Sequence, residues 1–279
     1  MTKRTALPAC GDDDKRQALL HPIDSPQYTP GCLGAALEVC YTAFFIPFKQ
    51  CLMHDFLGGP RPVQFRYLVN LHKGATFVFV LGLMAHFDNW SWTAYIYLAN
   101  HGIYGLLWLL KEATIPDKAW TVYLTIPSTV VSGAGITMYW AAAYIVVAFR
   151  VAVPPWLGAL SVAVHTFGVT LMMAADTQKY FVLKYKPGLI TDGWFAWSRN
   201  TNYVGELCVY VSYALLTNHW FPYAWLAFIF VMIWMPNLIA KDISLRRKVG
   251  GVAYMRKSGF LLPNVCGCLG SCFCSPKAI

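Results

Sequence analysis

The chain has 279 residues, 57% hydrophobic and only 13% charged, with a formal net charge of +9. That is too apolar for a soluble domain of this length, and it points to a chain that lives in a bilayer. Its basic residues are scattered around apolar runs and form no long patch, which argues against nucleic acid as a partner.

Residues 1–30 are polar, with Asp12-Asp-Asp14 and several prolines and glycines, and read as a mobile arm. No basic segment leads into an early apolar core, so no cleavable signal peptide is expected. Seven apolar runs follow, at approximately 33–48, 74–87, 93–110, 120–149, 156–175, 203–217 and 223–240, with lengths approaching the roughly 20 residues a bilayer demands. The predicted fold is therefore all-α: a polytopic transmembrane helix bundle of about seven spans. The fourth run is too long for one straight span and contains Pro127 and Gly133-Ala-Gly135, so it is either one kinked helix or two re-entrant halves. Residues 31–264 form one membrane domain, 241–260 a short cytosolic C-terminal helix against the membrane, and 265–279 a Cys-rich tail.

Orientation follows from loop charge. Lys179, Lys184, Lys186 and Arg199 precede the sixth run, and Lys241, Arg246, Arg247, Lys248, Arg256 and Lys257 follow the seventh. The connection between those two runs, Asn218-His-Trp-Phe-Pro222, has no Lys or Arg. Both basic segments are therefore expected in the cytosol, together with the 49–73 loop and its Lys49, Arg61, Arg66 and Lys73. Cys266, Cys268, Cys272 and Cys274 suit lipid acylation better than disulfides in a reducing compartment. Asn89-Trp-Ser91 matches a glycosylation sequon but sits tight between two spans.

The most polar stretch beside an apolar run is Asp192-Gly-Trp-Phe-Ala-Trp-Ser-Arg-Asn-Thr-Asn-Tyr-Val-Gly-Glu206. At 3.6 residues per turn, Arg199, Asn202, Tyr203 and Glu206 fall on one stripe, extended by Tyr210 and Tyr213. Such a stripe lines a ligand cavity, or else it is a hydrogen-bonding seam between helices. In the third run Asn100, Tyr104 and Lys111 share a stripe, and His101 sits mid-span beside Asn100. In the fifth, His165, Met172 and Asp176 share another. Glu38 lies inside the first run, as a proton donor or a packed carboxyl. No dinucleotide Gly-x-Gly-x-x-Gly, phosphate loop or His-Glu-x-x-His is present. Any cofactor must then be held between spans and cytosolic loops.

The segment from Ala175-Asp-Thr-Gln-Lys179 to Glu206, continued by Lys241-Asp-Ile-Ser-Leu-Arg-Arg-Lys248 and Tyr254, resembles the C-terminal region of the steroid 5-alpha reductase and sterol reductase superfamily. The likeness covers residues 170–264 and is greatest to its uncharacterised reductase-like branch. It implies an NADPH-dependent reductase of a carbon–carbon double bond in a steroid, sterol or other lipid, multi-pass in the endoplasmic reticulum membrane. By that resemblance Asp176 and Lys179, Arg199, Asn202, Tyr203 and Glu206, and Arg246, Lys248 and Tyr254 bind the cofactor. Tyr104, His101 and Glu38 are the candidates for polarising and protonating the substrate. The chain departs from the pattern at Asn200-Thr201, where the family carries His-Pro, and at Lys241, where it carries arginine. Prenylcysteine and phospholipid methyltransferases, which hold S-adenosylmethionine, share the Arg-x-x-x-Tyr-x-Gly hairpin. A non-catalytic sterol-binding protein is a third reading. No metal is expected.

Overall fold

A computed structural model describes residues 32–264, so the 1–30 arm and the four-cysteine tail lie outside the described residues. The chain is almost wholly helical. Helix α1 runs over 32–55, α2 is Phe65–His86, α3 spans 92–114, α4 is Ile126–Ala148, α5 Pro155–Tyr185, α6 Thr201–Leu215, α7 Trp220–Arg246 and α8 Gly251–Lys257. Four of them, α2, α4, α5 and α7, are long and apolar enough to cross a membrane.

Two short strands that hydrophobic periodicity does not reveal, β1 (Val63–Gln64) and β2 (Tyr123–Leu124), pair antiparallel, Val63 opposite Leu124. They tie the start of α2 to the start of α4, so these helices run side by side in the same direction. The 120–149 run resolves accordingly. Its first residues form a 3-10 turn (Lys118–Thr121) and β2, and α4 is one rod broken at Met138–Tyr139. Pro127 starts this helix and does not kink it. It occupies the first turn, where a missing N–H leaves no bond unmade.

Glycines set the closest helix approaches. A Cβ on Gly205 would lie 2.5 Å from the Met172 backbone nitrogen, and one on Gly168 would lie 2.7 Å from the Gly205 carbonyl, so α5 and α6 cross in backbone contact. Gly105 brings α3 against α2 in the same way: its Cβ would stand 2.0 Å from the Lys73 carbonyl oxygen. The main core lies between α2, α3, α4, α5 and α6, around Val80, Met84, Tyr97, Val146, Met172 and Val209.

The 192–200 loop and the segment after α8 are laced together. Ser198 bridges to Gly259, the Ser198 hydroxyl donates to the Leu261 carbonyl at 2.6 Å, and the Asn200 amide donates to Phe260 at 2.8 Å. Asn89 of the sequon is buried, with its amide donating to the Val147 carbonyl at 2.8 Å, so it is a structural tie between α2 and α4. Cys40 lies exposed on the outer surface of α1 and is not a core residue.

Candidate functional site

A cavity of about 1050 Å³ runs through the bundle from the polar ends of the helices inward. Of the predicted site residues, Tyr104, His101, Asp176, Lys179, Arg199, Asn202, Tyr203, Glu206, Lys248 and Tyr254 all line it. Residues from four separate stretches of sequence thus converge. Glu38 and Arg246 do not line it. They pair with each other, joining α1 to the end of α7.

At the inner end, His101 lies on a π-helical turn (Leu98–Gly102), which gives one extra residue per turn and shifts the face that α3 presents. Its Nδ1 lies 2.8 Å from the Tyr97 hydroxyl and its ring stacks on Tyr213 at 4.3 Å. Tyr104, one turn on, receives a hydrogen bond from Lys73 Nζ at 3.0 Å. The same ammonium lies over the Tyr104 ring at 4.2 Å and the Trp108 ring at 3.9 Å. The Tyr104 hydroxyl donates to Met172 Sδ at 3.7 Å, a weak acceptor. Sequence reasoning missed Lys73 as a site residue. It read as a charge flanking a span starting at 74, whereas α2 begins at Phe65 and carries Lys73 two turns inside.

Midway, Lys111 of α3 pairs with Asp176 of α5, both nearly buried. Glu206 lies within electrostatic reach of Lys73 and Lys111. Asn100, on the Tyr104 stripe, does not reach the cavity. Its amide donates to the Ser161 hydroxyl at 3.1 Å, a helix–helix seam.

Toward the mouth, Lys179 donates to Asp117 at 2.8 Å. Burial pushes the Asp117 carboxyl up, but Lys179 and the Ala119 N–H pull it further down, leaving it below the ordinary carboxylate value. Burial raises the Tyr254 phenol, whose hydroxyl donates to the Phe195 carbonyl at 2.7 Å.

Arg199 precedes α6, since the helix starts at Thr201, so it is not on the helical stripe that periodicity assigns it. All three nitrogens of its guanidinium are engaged: Nε and Nη2 each meet Asp242 at 2.8 Å, and Nη1 donates to the Ser258 carbonyl at 2.7 Å. Lys241 donates to the Arg199 carbonyl at 2.5 Å. Gly193, at φ 56°, has no room for a Cβ beside the Gln178 amide, which donates to the Asp192 carbonyl and accepts from the Trp194 N–H. That fit explains the Asp192-Gly193-Trp194 element.

The lining carries seven Lys or Arg side chains against three Asp or Glu. Setting aside Arg199 and the pairs Lys111–Asp176 and Lys179–Asp117 leaves Lys49, Lys73, Lys241 and Lys248 facing Glu206 alone. Each lysine has three donors and uses only part of them, as with Lys248, which gives one bond to the Gly188 carbonyl at 3.0 Å. The buried Oδ1 of Asn202 has no hydrogen-bond partner.

Residues 118–247, less than half of the chain, match the family model described as a protein of unknown function, DUF1295. The matched stretch reaches from the 3-10 turn before α4 to the end of α7. No curated protein and no solved structure matches the chain.

Proposed function

We propose that this chain is a membrane-embedded, NADPH-dependent reductase of a carbon–carbon double bond in a lipid, multi-pass in the endoplasmic reticulum with its C-terminus in the cytosol. In this reading α2 to α7 cross, the cavity mouth faces the cytosol and α8 lies at that surface. Helix α1 does not make the seventh crossing, because Glu38 at its start meets Arg246 at the end of α7 while the His54 carbonyl at its end accepts from the Thr125 N–H beside the start of α4. The single observation that carries the reading is the cationic surplus of a cavity otherwise set among apolar helices. A polyanionic dinucleotide is attracted by such a surplus; the sulfonium cation of S-adenosylmethionine is repelled by it.

The residues present fit the cofactor. Lys179, Lys241 and Lys248 have spare donors for phosphate oxygens. Asn202 has a free acceptor and Tyr203 a phenol on the same helix. Arg199 acts as a positioning residue, because its donors are consumed in fastening α6 to α7 and the segment after α8. A cavity of about 1050 Å³ lies at the top of the roughly 300–1,000 Å³ range of ligand pockets.

NADPH, when bound, supplies a hydride. Tyr104 would polarise the acceptor: its hydroxyl, now turned to a thioether, donates to the oxygen of a conjugated carbonyl while Lys73 supports the phenol from the other side, and water gives the α-carbon the proton that completes the reduction. His101, stacked and hydrogen-bonded, holds the inner wall in place. Glu38 belongs to the α1–α7 tie and has no part in this step.

The test is thermal unfolding of the purified protein in mild detergent with NADPH or S-adenosylmethionine, for wild type and Asn202→Ala. Stabilisation by NADPH that Asn202→Ala removes is expected. Stabilisation by S-adenosylmethionine alone would move the assignment to methyl transfer, and no response to either would leave a non-catalytic lipid-binding protein.

A further inference from the structure

The cavity wall formed by α2 and α4 is apolar for most of its length, with Phe65, Val69, Val131 and Ile136 facing inward. Of the polar side chains that interrupt it, two have polar atoms with no hydrogen-bond partner. His72 of α2 is 9% exposed, and neither ring nitrogen has a hydrogen-bond partner. Ser132 of α4 is 7% exposed, and its hydroxyl has none either. Both line the cavity.

Their neighbours show that this is not the general habit of these helices. In α4 the Thr129 hydroxyl donates to the Thr125 carbonyl at 3.0 Å, Thr137 donates to Gly133 at 2.8 Å, and Ser128 donates to Leu52 at 3.1 Å. A helical serine ordinarily bonds back to the preceding turn in this way. In α2 Thr76 donates to the His72 carbonyl at 2.8 Å and accepts from the Trp140 indole at 2.9 Å. The Trp140 ring stacks on His72 at 4.7 Å and fixes the imidazole plane. A packed imidazole with both nitrogens unpartnered is held ready for an acceptor or donor that arrives with a ligand.

We propose that His72 and Ser132 form a second oxygen-recognition subsite, so that the lipid accepted here carries two oxygen functions: a carbonyl at Tyr104 and a hydroxyl or carbonyl at the α2–α4 wall. The inference rests on the lipid-cavity reading above and narrows its substrate class. A hydrocarbon surface against these groups would leave them buried and unpaired, so the subsite rejects lipids that lack the second oxygen more strongly than it attracts those that have it.

The matched probes are androst-4-ene-3,17-dione and androst-4-en-3-one, which differ only in the second oxygen. Their dissociation constants are measured on the full chain in detergent with saturating NADP+, which fills the cofactor half without a hydride to give. Wild type should favour the dione about tenfold, the loss expected when one buried hydrogen-bonding group goes unpaired. His72→Phe and Ser132→Ala should each bring the ratio close to unity, while His72→Gln, which keeps a donor and an acceptor, should retain most of it. Stabilisation by NADPH, read on every variant, shows that the fold and the cofactor half are intact. A ratio that His72→Phe and Ser132→Ala leave unchanged, or a wild type that does not prefer the dione, overturns the subsite while NADPH binding keeps the reductase reading. Loss of NADPH stabilisation in wild type would instead bring down the reading beneath it.

Discussion

The two residue pairs that organise the site do different work, and substitution separates them. Arg199–Asp242 is a nearly buried bidentate pair with a third bond to a backbone carbonyl. Asp242→Ala leaves a buried guanidinium unpaired and should destabilise the protein by about 3–5 kcal/mol, seen as a lower unfolding temperature in detergent. Arg199→Met with Asp242→Leu should recover most of that loss, because no orphaned charge remains. Lys73–Tyr104 sits at the cavity. Tyr104→Phe should leave unfolding and NADPH stabilisation near wild type while lowering turnover of an enone probe by roughly 10²–10⁴, the usual worth of a positioned proton donor. Asp117 contributes differently again. Its folded carboxyl lies below the ordinary value of 3.8, so the stability it lends is fully present above that value and is lost as pH falls through the folded one. Unfolding temperatures of wild type and Asp117→Asn should therefore differ by a constant amount around neutrality and converge only in strong acid. Legibility at this scale depended on spacing. Asn202, Tyr203, Glu206 and Tyr210 were readable as a stripe because they lie within one helix. Lys73 and Asp242 were not, because their significance is a partner far away in sequence, on α3 or before α6.

Helices locate the cavity through two kinds of irregularity. Glycines bring α2 to α3 and α5 to α6 close enough that Lys73 meets Tyr104, and Tyr104 reaches Met172. Gly105→Ala forces its Cβ against the Lys73 carbonyl, a backbone atom that no rotamer change can move. It should cost about 1–3 kcal/mol or more and lower turnover as well, since parting α2 from α3 separates the proton donor from its support. Gly82→Ala, with open space around its Cβ and away from the cavity, is the control and should be neutral in both unfolding temperature and turnover. The second irregularity is the π-helical turn, at Leu98–Gly102 and again at Phe230–Trp234. Each lies where its helix lines the cavity, through His101 on the first and Ile233 and Trp234 on the second. Apolar periodicity marked out the helices here, but it could not reveal these turns, because one inserted residue leaves the hydrophobic pattern intact and only rotates it. It also started α2 too late, since a turn rich in polar residues such as Arg66, Asn70 and Lys73 reads as loop until the cavity that those residues adjoin is known.

At the scale of the molecule, the charged groups gather at one end. Both ends of α1, the starts of α2, α4 and α6, and the ends of α3, α5 and α7 share it, with Lys49, Arg61, Lys179, Lys241 and Lys248 among them. The opposite end holds the short turns after α2, α4 and α6, with Asp88, Arg150 and His219 as its main ionisable side chains. That asymmetry was legible beforehand because loop charge depends on composition alone. The cavity itself was not, since its volume is set by how far the helices stand apart. A charged end that faces the cytosol makes a definite geometric claim. Val249 is 99% exposed beside the mouth, and Trp220 is 69% exposed at the far end. In a chain with its nine cysteines replaced, Val249→Cys should react with a membrane-impermeant maleimide in sealed microsomes, whose outer face is the cytosolic one. Trp220→Cys should react only after low detergent has permeabilised those microsomes. Labelling of both in sealed microsomes would mean that α7 does not cross, and would remove the cytosolic mouth through which a charged cofactor must enter.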